Sequence, residues 1–201
     1  LTEHVLRTAA ADWTALCERT GRDLTISVNV PAEVLTVPEM VERVRRIVDA
    51  AGLPCDMLTI EVTEDRLSLD AAAALETLTR LRVMGFGLSI DDFGTGHSSL
   101  ERLHRVPFTE LKVDRQFIRG IATDPWARTI VAQSIALGRE LELTTVAEGI
   151  EDASTWDWLA AAGADLAQGF HVARPAAIGT LETWSDGWEA PRSPGVIRVT
   201  A

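Results

Sequence analysis

Little in this chain favours a membrane span, a disulfide scaffold or a zinc site. No apolar run approaches the roughly 18 to 20 residues that a bilayer-spanning helix needs. The opening residues, LTEHVLRTAA, lack the charged-then-apolar order of a signal peptide. Cysteine is scarce: Cys17 and Cys55 stand far apart and outside any CxxC spacing, which argues against a disulfide framework and fits a reducing cytoplasm. His4, His97, His104 and His171 form no ligand set. No GxGxxG marks a first strand-to-helix turn, so nothing favours a dinucleotide-binding Rossmann arrangement. Positive charge is short as well. A formal net charge of −11 repels polyanions, and no DNA or RNA polymer is expected as a partner. The sequence opens on Leu1 rather than Met, which reads as a processed, trimmed or partial chain.

What is present is the composition of one globular domain: 201 residues, 46% hydrophobic and 24% charged, enough for a sizeable core. Short β-type runs recur at 24–28, 57–61, 86–90, 110–113, 143–147 and 164–167. Helical spacing fills the intervals, as with Val41, Val44, Ile47 and Val48 ahead of Gly52, or Leu75, Leu78, Leu81 and Met84 ahead of Gly85. Strands alternating with helices predict an α/β fold whose nearly all-apolar parallel strands are buried on both faces. Beyond Ala177 the pattern weakens into one short helix carrying Trp184 and Trp188 and then a Pro- and Gly-punctuated tail. The chain is therefore expected to divide into a domain at 1–177 and a helix with a linker-like or frayed tail at 178–201.

The polar residues at the strand ends carry the chemistry. Each run finishes in a side chain able to bind metal or phosphate: Asn29, Glu61, Asp91 with Asp92, Lys112 with Asp114, Glu148, and Gln168. Parallel strands point their C-terminal ends to one face, where (β/α)8 barrels place their active sites, so these residues are expected to converge at one mouth. Each alone has an ordinary explanation, as an ion pair, a helix cap or a turn. Together they form an acidic cluster that would suffer like-charge repulsion without a cation. Carboxylates and an amide oxygen suit hard cations, Mg²⁺ or Mn²⁺ rather than Zn²⁺. Adjacent Asp91 and Asp92 point to a shared two-metal site of the kind that activates a water and clamps a phosphodiester, with Lys112 steadying that water or a phosphate oxygen. The stretch DDFGTGHSSL at 91–100 offers two glycines and then Ser98 and Ser99 as candidate helix caps; it reads either as a mobile lid or as a plain connection.

These residues resemble the EAL domain family, bacterial phosphodiesterases that linearise cyclic di-GMP to pGpG. The resemblance runs through SVNV at 27–30, IEVTE at 60–64, DDFGTGHSSL, LKVDRQFI at 111–118, VAEGIE at 146–151 and AQGFHVARP at 167–175, in the family's order and spacing. It implies a (β/α)8 TIM-barrel-like EAL fold whose first strand–helix units lie outside this chain. By position it implies metal ligands at Asn29, Glu61, Asp91 and Asp92, the active-site lysine at Lys112, and the general base or second-metal glutamate at Glu148. Gln168, Glu151 and Asp114 match positions near the metals and substrate. Glu64 matches the glutamate that holds the loop formed by Phe93, Gly94, Thr95 and Gly96, through which family members couple dimerisation to activity. A homodimer through that loop and the following helix is thereby implied, as are sensory or GGDEF-type domains in a parent protein and a cytoplasmic location, with membrane tethering open to the parent.

Departures from the family pattern are an alanine-bearing NVPAEVL in place of N-L-S-P after Asn29, and His97 in place of the common loop tyrosine. The Glu-Ala-Leu strand, whose glutamate binds metal, and the nearby phosphate-holding arginine are expected upstream of Leu1. Six strands also fall short of the eight that close a barrel of about 250 residues. The intact domain is therefore expected to hydrolyse cyclic di-GMP, and this chain alone to be weak or inactive. The alternatives are a degenerate EAL module that binds the nucleotide or a protein without turnover, and an unrelated metal-dependent barrel hydrolase.

Overall fold

A computed structural model of the chain describes residues 1–63, 72–95, 99–187 and 198–199. Along the chain run α1 (Thr2–Thr20), β1 (Ile26–Asn29), α2 (Ala32–Leu35), α3 (Met40–Ala51), β2 (Leu58–Thr63), α4 (Ala72–Val83), β3 (Gly87–Phe93), α5 (Ser99–Arg105), β4 (Glu110–Val113), α6 (Arg115–Gly120), α7 (Pro125–Glu140), β5 (Thr144–Glu148), α8 (Ala153–Ala162), β6 (Leu166–Gln168), α9 (Ile178–Gly187) and β7 (Arg198–Val199). The α/β class expected from the alternation is observed. The chain divides into two compact units: the described residues of Leu1–Ser89, Leu100–Phe108 and Ala176–Trp188 form the first, and those of Ile90–Ser99, Thr109–Pro175 and Glu189–Ala201 the second.

In the first unit β1 and β2 pair in parallel, with Val28 opposite Ile60 and Asn29 opposite Glu61. The predicted helical face of Val41, Val44, Ile47 and Val48 is buried in α3, and Gly52 ends that helix in the left-handed conformation. Leu78 and Leu81 of α4 are likewise buried. Full burial of one such aliphatic side chain contributes roughly 1.5–3 kcal/mol, so α3 and α4 are held chiefly by these apolar faces.

In the second unit β4, β5, β6 and β7 follow one another in chain order, all parallel. Leu111 and Val113 of β4 and Val146 and Ala147 of β5 are buried on both faces of the ladder, as helix-covered parallel strands require. Trp156 of α8, 1% exposed, is among the largest fully buried side chains. Three aspartates start the helices of this unit. Asp114 accepts from the Gln116 amide, Asp124 from Trp126, and Asp152 from Thr155, each satisfying a backbone donor that the helix itself leaves open.

Three expectations are corrected. Most predicted strands extend one to three residues further toward their C-terminal ends, so that Asn29, Asp91, Asp92, Glu148 and Gln168 lie inside β1, β3, β5 and β6. The tail expected as a linker contributes a seventh strand, β7, whose Arg198 and Val199 pair with Leu166 and Ala167. Ser99 is the first residue of α5 rather than a cap before it. Glu64, Gly96, His97 and Ser98 lie outside the described residues.

Candidate metal centre

Each unit carries its own part of the sequence-derived site. In the first, the in-register pair at the end of β1 and in β2 brings two candidate ligands together: Asn29 Nδ2 donates to Glu61 Oε2 at 3.0 Å. Glu61 is buried, at 6% exposure. The Val30 amide donates to its backbone carbonyl at 2.9 Å, fixing the strand beneath it. An amide and a carboxylate side by side present oxygen donors of the kind that hard cations prefer.

In the second unit Asp91, Asp92 and Glu148 each offer a carboxylate oxygen, and these oxygens lie within 4.8 Å of one another. Lys112 Nζ stands 3.2 Å from Asp91 Oδ1 and 2.6 Å from Glu148 Oε1, with only 5% of its side chain exposed. A lysine so buried requires anionic partners to offset its lost hydration. Lys112 is also the only lysine in the sequence, every other cationic chain being arginine. One ammonium pairs with two carboxylates and offsets only one of their two charges. Asp92 carries the consequence: its pKa rises to about 7, first through burial, then through a hydrogen bond with Asp114, then through the charges of Asp91, Asp114 and Glu148. Its backbone is unusual too, with φ 58°, a region that non-glycine residues seldom occupy and that often marks functional sites. The turn that follows closes on Asp92, whose carbonyl accepts from the Thr95 amide at 3.3 Å and from Thr95 Oγ1 at 2.8 Å. Phe93, the last residue of β3, is buried.

Gln168 ends β6 in register with Glu148 at the end of β5. Beyond them a cavity of about 230 Å³ is lined by Glu148, Glu151, Gln168, Arg115, Arg119 and Phe170, among others. Arg119 Nε donates to Glu151 Oε1 at 3.1 Å and Nη2 contacts the same oxygen. Phe170 is half exposed, with the Arg174 guanidinium 4.5 Å from its ring centre. Sequence reasoning found the acids of this unit and missed Arg119 and Phe170. Nothing in the spacing joins Arg119 to a partner 32 residues away, although Phe170 stands inside the AQGFHVARP stretch already singled out.

The cluster suits a divalent cation by its donor chemistry: three carboxylates, one of them, Asp92, with its pKa raised to about 7, first by burial and then by its acidic neighbours. An α/β fold with such a cluster at the ends of parallel strands defines a class of metal-assisted hydrolases and related binding modules. The model of the EAL domain matches residues 1–175, and the chain belongs to that family. Among its relatives is the cyclic di-GMP phosphodiesterase NbdA of Pseudomonas aeruginosa, 37% identical over 194 residues, covering 96% of this chain and 25% of NbdA. The bifunctional diguanylate cyclase/cyclic di-GMP phosphodiesterase MucR of the same organism is 43% identical over 153 residues, 76% of this chain and 22% of MucR. This chain thus spans about a quarter of the length of these curated relatives. The solved MucR phosphodiesterase in complex with c-di-GMP superimposes with a TM-score of 0.83 at 40% identity, over 89% of this chain and 72% of that one. BlrP1 of Klebsiella pneumoniae, solved with manganese and the same dinucleotide, gives a TM-score of 0.76 at 33% identity, over 87% of this chain and 45% of that one. Among the described residues no helix is long and apolar enough to cross a membrane.

Proposed function

We propose that this domain serves in hydrolysing cyclic di-GMP to linear pGpG with Mg²⁺ or Mn²⁺. The observation that carries the reading is the group of Asp91, Asp92 and Glu148 within 4.8 Å, bridged from below by buried Lys112. It is supported by NbdA, named a cyclic di-GMP phosphodiesterase, and by BlrP1, whose solved complex holds manganese and the dinucleotide. Bound divalent ions supply charge neutralisation at the phosphate and lower the pKa of a water. Asp91, Asp92 and Glu148 would hold them in the second unit, and Asn29 with Glu61 would offer metal-ligating oxygens in the first. Glu148 would take the proton of the attacking water as the water oxygen bonds to phosphorus and the P–O3′ bond breaks, the departing ribose 3′-oxygen taking a proton from water to become a hydroxyl. Lys112 pairs with Asp91 and Glu148 and offers its charge to a phosphate oxygen. Gln168, Glu151 and Asp114 orient the nucleotide. Phe93, Gly94 and Thr95 belong to the loop, continued by Gly96 and held by Glu64 in the family pattern, through which a homodimer regulates the site. A cyclase-type or sensory domain accompanies it in the parent protein, a reading supported by the double name of MucR, and the domain acts on its nucleotide in the cytoplasm, free or tethered to a membrane through the parent.

Incubation of the intact EAL domain with cyclic di-GMP and Mn²⁺, followed by chromatography, is expected to yield pGpG, and this chain alone to yield little or none. Replacing the general base, Glu148→Gln, is expected to lower kcat about 10²–10⁴-fold. Nucleotide bound but recovered intact would instead identify a binding module, and an unchanged rate in Glu148→Gln would remove the proposed base.

A further inference from the structure

The loops that follow β5 and β6 are locked together through one residue, Ile150. Its amide donates to the Gln168 carbonyl at 3.1 Å, and its carbonyl accepts from the His171 amide at 2.9 Å. Ile150 is 0% exposed, so water offers these two backbone groups no alternative partner. The bonds carry the β5–β6 ladder one step past its last register pair, Glu148 with Gln168.

This approach depends on the absence of a side chain at Gly169. With φ +156°, a Cβ there would lie 2.2 Å from Ile150 N, 2.3 Å from Ile150 O and 2.8 Å from Ile150 Cα. All three are backbone atoms, so no rotamer change relieves the clash and one loop must move away. The residues that would move are Glu148, two positions before Ile150, and Gln168, next to Gly169.

We propose that Gly169 is a positioning residue: the Gly169–Ile150 clasp fixes Glu148 against Gln168 and thereby holds the Glu148 carboxylate in the cation-binding cluster. The inference rests on reading that cluster as a divalent-cation site. It does not require that the site hydrolyse anything. Misplacement of a ligating carboxylate typically costs 10–100-fold in metal affinity, and so a clasp that positions Glu148 should be visible in metal binding alone.

The test compares two glycine variants by Mn²⁺ titration calorimetry at a temperature where both are folded. Gly138→Ala is the control: its added Cβ would lie 2.2 Å from Thr145 Cγ2, at the opposite end of β5 from Glu148. Gly169→Ala is expected to weaken Mn²⁺ binding at least tenfold, and Gly138→Ala to leave it within twofold of the parent while lowering the melting temperature. Equal losses in both variants, or parent-like binding by Gly169→Ala, would overturn the proposal.

A second measurement needs no substitution. Metal and clasp must stabilise each other reciprocally if they are coupled, so saturating Mn²⁺ is expected to slow amide exchange at Ile150 and His171 at least tenfold more than at Leu159 of α8. Uniform slowing overturns the proposal. An intact EAL domain that binds Mn²⁺ without cleaving cyclic di-GMP would defeat the phosphodiesterase reading and leave the clasp supported. A parent that binds no Mn²⁺ would defeat both.

Discussion

Two aspartates of the second unit, Asp92 and Asp152, have the same side chain and opposite chemistry. Asp152 begins α8, accepts from the Thr155 amide at 2.9 Å and from the hydroxyls of Ser154 and Thr155, and its pKa falls to about 2, with the Ser154 hydrogen bond the largest cause. Asp92 is partly buried among Asp91, Asp114 and Glu148, and its pKa rises to about 7. Donors surround the first and acceptors the second. A carboxylate surrounded by donors is already satisfied and does structural work, whereas one among other acids is satisfied only by a proton or a cation. The comparison separates the acid that builds the unit from the acid that equips it.

The largest effect expected to sharpen that contrast comes from the one cation among the acids. Lys112→Met removes the buried partner of Asp91 and Glu148 and is expected to destabilise the metal-free protein by about 3–5 kcal/mol, the usual result of stranding buried charge. Added Mn²⁺ should recover part of that loss, and a metal-free melting temperature equal to the parent's would show that the amine is not what offsets these acids.

Next is the competition between proton and cation at Asp92. Because its pKa in the fold is raised from 3.8 to about 7, the fold favours the protonated form. Its contribution to the metal-free protein is present at pH below about 4 and is lost as pH rises through about 7. Bound metal reverses the preference, so Mn²⁺ affinity is expected to rise by up to about tenfold per pH unit below 7 and to level above it. Asp92→Asn should abolish that slope. A pH-independent affinity in the parent would break the comparison.

The smallest effect belongs to Asp152. Asp152→Ala is expected to cost about 1 kcal/mol in urea unfolding, as loss of a helix cap does, with Mn²⁺ affinity unchanged. Its sign is opposite: the folded pKa is depressed, so its contribution is present above about 4 and is lost as pH falls through about 2. Loss of metal binding in this variant would mean that the two acids are not independent.

Much of this was legible in the sequence, for reasons specific to each element. The run at 110–113 was located at its true bounds because Leu111 and Val113 are apolar and Asp114 starts a helix at once. Other strands were cut short because polar residues such as Asp91, Asp92 and Glu148 resemble loop, whereas a ladder is built by backbone groups that are indifferent to side-chain polarity. The two-residue β7 follows a Pro- and Gly-rich stretch and has no periodicity to detect. Of the strand-end residues, Asp91, Asp92 and Glu148 stand together, as their places in the sequence lead one to expect. What the sequence could not show is how charge is shared inside it: that Lys112 serves Asp91 and Glu148, or that Asp114, besides capping α6, hydrogen-bonds Asp92. Such facts depend on ångström separations between residues distant in the chain.

The solitary lysine has a practical consequence. With one ε-amino group in 201 residues, isotopically labelled lysine introduces a single side-chain reporter, and it stands inside the acidic cluster. Every change there, from proton to cation to nucleotide, would be read from one ammonium resonance with no competing signal, so this protein arrives with its probe already installed.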